Sequence, residues 1–256
     1  MKTAPPHTRK RWRLFKTRNM VTNLKIFVIF TILTICRYSC AVPLNDGVKI
    51  DTDKLILINY SDTNYYDLAA WIHDTITDDG WRINYYVKDD STRYKDIYIQ
   101  WSKGNIHGLC KREEVLDFRR YFIPVIVGEN NSNIFLSHGC GTACQAILVL
   151  GKDSLPTYTD YLNIVNYNIP LGKLIYVTQN SWTHEEEYFE LAIVDLKAKK
   201  EYKEKYNNLC FGKWQYKPSC IDTVIFEKNK IMISTTLIDK NDRNKEIKDN
   251  RIINIK

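Results

Sequence analysis

The stretch Ile221 to Glu227 (IDTVIFE), followed by Lys228-Asn229 and then by Lys230 to Ile238 (KIMISTTLI), decides the fold class. Both runs are rich in β-branched and apolar residues and alternate along the chain, a period of two that belongs to strands. The two polar residues between them suit a tight hairpin. Two more runs of the same kind precede this pair, Lys173 to Gln179 (KLIYVTQ) and Tyr188 to Leu196 (YFELAIVDL).

Towards the amino terminus the pattern persists. Lys54 to Tyr60 (KLILINY) is a short apolar run bounded by turn formers, and Trp81 to Lys88 and Asp96 to Trp101 alternate, with Ile97, Ile99 and Trp101 on one face. Tyr121 to Val127 and Asn133 to Ser137 form an expected hairpin across Gly128-Glu129-Asn130-Asn131-Ser132, and Ala143 to Leu150 follows as a strand. Asp67 to Thr77 breaks the cadence: Leu68, Trp71, Ile72 and Ile76 share a helical face, with Gly80 beyond the end. Glu113 to Arg120 fits a helical turn or a loop equally well. The expected class is mainly β, an α+β variant with one or two short helices, built as an antiparallel meander, a sandwich or partial-propeller-like sheets. The piece FELAIVDLKAKKEYK, from Phe189 to Lys203, resembles a single blade motif of a β-propeller, in which a strand ends in Asp-Leu and turns back through basic residues. No fixed period recurs along the chain.

The amino terminus has a different character. The apolar run Ile26 to Cys36 (IFVIFTILTIC) is about half the roughly twenty residues a membrane-spanning helix needs. Basic residues without any acidic one precede it, and Ser39-Cys40-Ala41 follows with the small residues a signal peptidase requires. Residues 1–41 are expected to be a signal peptide cleaved after Ala41, with Met20 as an alternative start, followed by one β-rich domain over 42–239. The competing expectation is a membrane tether through an uncleaved 24–36 segment. The last stretch, 240–256, is charged and Asn-rich, and its composition predicts a mobile tail.

Cleavage changes the electrostatic picture. Nine of the 37 Lys and Arg lie in residues 1–41, so the remainder carries 28 against 30 Asp and Glu, a formal charge of −2. A nucleic-acid partner is therefore not expected, and membrane contact is expected only through the signal segment. The location implied is the periplasm or the secreted medium.

Export also sets the context for Cys110, Cys140, Cys144, Cys210 and Cys220. Cys210 and Cys220 enclose a turn-rich loop and are expected to pair. The segment Ser137-His138-Gly139-Cys140-Gly141-Thr142-Ala143-Cys144 is the most distinctive one, because two glycines let the chain turn sharply around Cys140. Three readings arise: a disulfide of Cys140 with Cys144, or of one of them with Cys110; a copper or zinc site of His138, Cys140 and Cys144, with His107 as a possible fourth ligand; or a Cys140 nucleophile with His138 or His184 as base. The acidic loop Ser181 to Glu187 around His184 reads mainly as solvated surface. Phosphate-binding, dinucleotide and H-E-x-x-H motifs are absent from the sequence. Asn59 and Asn130 each begin a glycosylation triplet.

These observations predict an exported β-rich domain that binds a protein or glycan partner through exposed Tyr and Trp, of which the chain has 17 and 6, without a cofactor. The alternative is an extracytoplasmic thiol- or metal-dependent enzyme or redox protein centred on His138, Cys140 and Cys144.

Overall fold

The computed structural model describes residues 54–58, 75–88, 96–112, 120–141, 144–178, 189–208, 210, 220–242 and 244–255, all within the compact unit from Pro43 to Lys256. Among them the protein is nearly all β, with no α-helix.

Among the described residues, fifteen strands form four antiparallel sheets, each a meander of consecutive strands. The first contains β1 (Leu55–Leu57), β2 (Arg82–Lys88), β3 (Ile97–Lys103) and β4 (Ile106–Arg112). The second contains β5 (Val125–Glu129), β6 (Asn133–Gly141), β7 (Cys144–Gly151) and β8 (Tyr158–Tyr161). β9 (Ile164–Asn168), β10 (Lys173–Val177), β11 (Phe189–Asp195) and β12 (Lys200–Tyr206) make the third. The fourth has β13 (Ile221–Phe226), β14 (Lys230–Ile238) and β15 (Glu246–Asn254).

Side-chain alternation turns these meanders into a stack. Along β6 and β7, Ile134, Leu136, Leu148 and Leu150 pack against Ile83, Tyr85, Ile99 and Trp101 of the first sheet. Phe135, Ile147 and Val149 point the other way, onto Leu174, Tyr176, Ala192 and Val194 of the third. The remaining faces of β10 and β11, with Ile175, Val177, Leu191 and Ile193, meet Ile231, Ile233, Leu237 and Ile253 of the fourth. Strands covered on both faces must be apolar at every position, which is why Ala146 to Leu150 and Leu174 to Val177 are unbroken apolar runs, whereas β14 alternates. Four antiparallel meanders of consecutive strands agree with the expected mainly β class.

Polar side chains join the sheets at the end where the hairpin turns gather. Lys152 Nζ lies 2.8 Å from Asp79 Oδ2, contacts Glu129 Oε2 and donates to Asn130 O at 2.7 Å. Asn130 Nδ2 reaches across to Ile169 O at 2.8 Å, and Lys173 Nζ donates to the carbonyls of Glu227 and Lys228. Three residues thus connect the first sheet to the second, the second to the third and the third to the fourth. Asn130 Oδ1 also accepts from the Ser132 and Asn133 amides. Both ends of its amide are engaged in a turn, so the Asn130 triplet is turn scaffolding, and a glycan-release assay is expected to find that position unmodified.

The structure differs from the sequence expectation in three places. The stretch expected to be a tail, 240–256, contains β15, because Ile247, Arg251, Ile253 and Ile255 alternate towards the third sheet beneath a polar outer row. The helix expected over Asp67–Thr77 lies outside the described residues except for Thr75 to Thr77, where Ile76 bridges Arg82 in extended backbone. The aromatic contact surface is also reduced. Trp81, Trp101, Tyr85, Tyr98, Tyr176 and Tyr206 are buried, while Trp71, Trp182 and Trp214 lie outside the described residues.

Candidate functional site

The HGCGTAC segment closes the β6–β7 hairpin at the end of the stack opposite the turn contacts. The register slips between Gly139 and Gly141, and this bulge turns Cys140 towards Cys144, the partner of Gly141 on the last rung. Gly141 has φ 145°, a conformation that L side chains rarely adopt, so glycine is required there. Cys140 and Cys144 lie at disulfide distance with Cα atoms 5.1 Å apart. Gly139 is needed for a different reason: a Cβ built on it would stand 2.7 Å from both the ring and the carbonyl oxygen of Tyr121. Its bare backbone therefore lets the 3₁₀ turn Arg120–Phe122 lie directly on β6, and Tyr121, 72% exposed, projects beside Gly139, the residue before Cys140.

His138 precedes this loop with a side chain that is wholly buried. Its Nδ1 lies 2.7 Å from Gly139 O and its Nε2 2.8 Å from Asp160 Oδ1 on β8. Both ring nitrogens face oxygen acceptors, so neither is open to ligate a metal or to take a proton from a nucleophile. Asp160 in turn lies 3.4 Å from the Arg112 guanidinium at the end of β4, which links the first and second sheets. Burial alone would raise the Asp160 carboxyl, but the hydrogen bond from His138 and the charges of His138 and Arg112 hold it below its usual range.

Cys110, two residues before Arg112, is fully buried in the first core cluster. Burial pushes its thiol up to about 12, with Arg112 opposing and Asp160 reinforcing the shift. At neutral pH it is a protonated, inert thiol. Cys210 and Cys220 form the second pair at disulfide distance, with Cα atoms 5.2 Å apart, and both sulfurs sit in the cluster between the third and fourth sheets. They join the segment after β12 to the start of β13.

The structure brings together His138, Cys140 and Cys144 in one hairpin end but leaves none of them with free ligating or nucleophilic capacity. No group of three or more His, Cys, Asp or Glu arranged to hold a metal occurs among the described residues. His107 lies at the turn end of β4, paired with Ser102, remote from the HGCGTAC loop. His184 and its acidic loop lie outside the described residues. Sequence reasoning missed Asp160 and Arg112, the residues that fix His138, because each sits in a polar edge strand without a motif around it.

Two outcomes follow. Thiol titration of the chain without its first 41 residues is expected to detect no reactive thiol in buffer and one, Cys110, in denaturant. Replacing Cys210 by Ser should remove about 3 kcal/mol in the chain-entropy picture of a loop this short, lowering the melting temperature by roughly 6–10 °C in oxidising conditions. An unchanged midpoint would show that the pair does not form.

The Asp160 contact also fixes a pH response. A carboxyl held below its unfolded value near 3.9 stabilises the fold above that pH and loses its contribution as pH falls through the lower folded value. Acid unfolding below about pH 4 should therefore be shallower in Asp160→Asn than in the parent.

Two pairs at disulfide distance are compatible with an oxidising compartment. No described helix is long and apolar enough to cross a membrane. The chain matches no protein-family model, no curated protein and no solved structure.

Proposed function

We propose that the chain is an exported β-rich domain that binds a protein or glycan partner at the HGCGTAC end of its stack, with Tyr121 as the central contact. The observation that carries this reading is the contrast between Tyr121, 72% exposed on a braced support, and the chemistry-bearing side chains around it, each already committed to a partner. An aromatic ring held by a rigid hairpin offers contact area at low entropic cost, which suits both a glycan ring and a protein surface. The paired cysteines support the export that residues 1–41 suggest.

The test has two parts. Amino-terminal sequencing of the chain released by a secreting host should begin at Val42. Photo-crosslinking from position 121, alongside glycan-array binding, should give a signal that Tyr121→Ala removes while melting temperature is kept. Rapid alkylation of Cys140 at neutral pH in the native protein would overturn this account in favour of a thiol-dependent enzyme or redox protein.

A further inference from the structure

The fourth sheet ends the described stack, and its two faces differ sharply. The inner face packs on the third sheet. On the outer face the strand register lines up residues in rows across β13, β14 and β15. Ile225 stands opposite Met232 and Met232 opposite Ile252, making an apolar stripe across all three strands. Ile225 and Ile252 are 47% and 64% exposed, and a shallow depression of about 260 Å³ lies over the stripe. The next row is uncharged, with Thr223, Ser234 and Asn250 in register. The row beyond holds Asp222, which accepts from the Thr236 hydroxyl at 2.8 Å, and Lys248, which pairs with Thr236.

The geometry points to a second copy of this chain as the occupant of that face. A two-fold axis along β14 leaves every row level with itself and exchanges β13 for β15. Ile225 then meets Ile252 of the other copy, Met232 meets Met232, and Thr223 meets Asn250. The charged row becomes complementary, Asp222 of each copy facing Lys248 of the other. An unrelated partner would have to supply this pattern independently, whereas the symmetry operation supplies apolar, polar and charged matches together. Three strands about 4.8 Å apart and three rows about 6.8 Å apart cover roughly 300 Å² per copy, well below the size of a standard specific interface and in the range of weak, transient encounters. The association is thus weak and reversible, with a dissociation constant on the order of 100 µM.

Sedimentation velocity on the purified full chain, from about 1 µM to about 500 µM, tests it. The parent should shift from monomer to dimer over that range. Ile252→Asp and Ile225→Asp, both at exposed positions, should remain monomeric with unchanged circular dichroism. Asp222→Lys should weaken association at least tenfold, and the exchanged pair Asp222→Lys with Lys248→Asp should restore it. A parent that stays monomeric throughout, a dimer indifferent to Ile225→Asp and Ile252→Asp, or a charge exchange that fails to restore association would each overturn the proposal.

Discussion

Replacing Lys152 by Ala is expected to cost about 3–5 kcal/mol of unfolding free energy, read from urea or thermal denaturation. The side chain is 5% exposed and ends between Glu129, 8% exposed, Asp79 and the Asn130 carbonyl. Removing the ammonium leaves the Glu129 carboxylate buried without its counter-charge. The neutral donors that remain, the Asp79 amide at 2.6 Å and Thr77, cannot replace a cation. Asp79→Ala should cost far less, because that carboxylate is 52% exposed and water screens it.

The same substitution should flatten a pH slope. Burial raises the Glu129 carboxyl, but hydrogen bonds from Lys152, the Asp79 amide and Thr77, with the Lys152 charge, bring it below its usual value. In the parent this contribution is present above the unfolded value near 4.3 and is lost as pH falls through the folded one. Without Lys152 the hydrogen bond and the charge that most oppose burial are lost, so the folded value moves up towards the unfolded one and the stability gained between acid and neutral pH shrinks. Combining Lys152→Met with Glu129→Met should recover much of the loss, since two apolar groups need no counter-charge.

How far the sequence revealed this architecture depended on which faces a strand covers. The central strands β7, β10 and β11 of the two inner sheets are apolar on both sides and stand out as runs, and β13 with β14 stand out through alternation around Lys228-Asn229. β12 (KEYKEKY) and β15 (EIKDNRIIN) each bury one face only and carry charges on the other, which gives them the composition of a linker or tail. β8 is half-buried throughout and has no period to detect. At the candidate site the local features were legible: two glycines and a four-residue cysteine spacing announce a braced turn. The setting of His138 was not, because Asp160 reaches it from 22 residues away, a distance that only the β6–β7–β8 register closes. The aromatic residues misled for a related reason. Tyr and Trp suit an exposed binding face and a wide inter-sheet core equally well, and the stacking of sheets decides between them.

Gly108→Ala should be nearly as damaging as the loss of Lys152, although it adds a single methyl group. Gly108 faces Trp101 across the β3–β4 ladder, and the indole lies flat over its Cα. A Cβ there would fall 2.2 Å from Cζ2 and 2.4 Å from Cε2 of Trp101. Contacts that short require the ring to move by more than 1 Å, about the difference from ordinary van der Waals separation. Trp101 cannot yield freely: it is fully buried, donates from Nε1 to Gly151 O at 2.8 Å and meets Tyr158 edge-on at 6.5 Å. Displacing it adds overpacking of about 1–3 kcal/mol to a buried N–H left unpaired, about another 1–3 kcal/mol. Trp101→Ala alone should cost about 3–5 kcal/mol through the cavity it opens between the first and second sheets. If the clash is the cause, the two changes must couple. With Trp101→Leu in place, adding Gly108→Ala should cost less than about 1 kcal/mol, a favourable coupling of about 2 kcal/mol in the double-mutant cycle. Strict additivity would instead place the cost of Gly108→Ala in the strand backbone and remove Trp101 from its explanation.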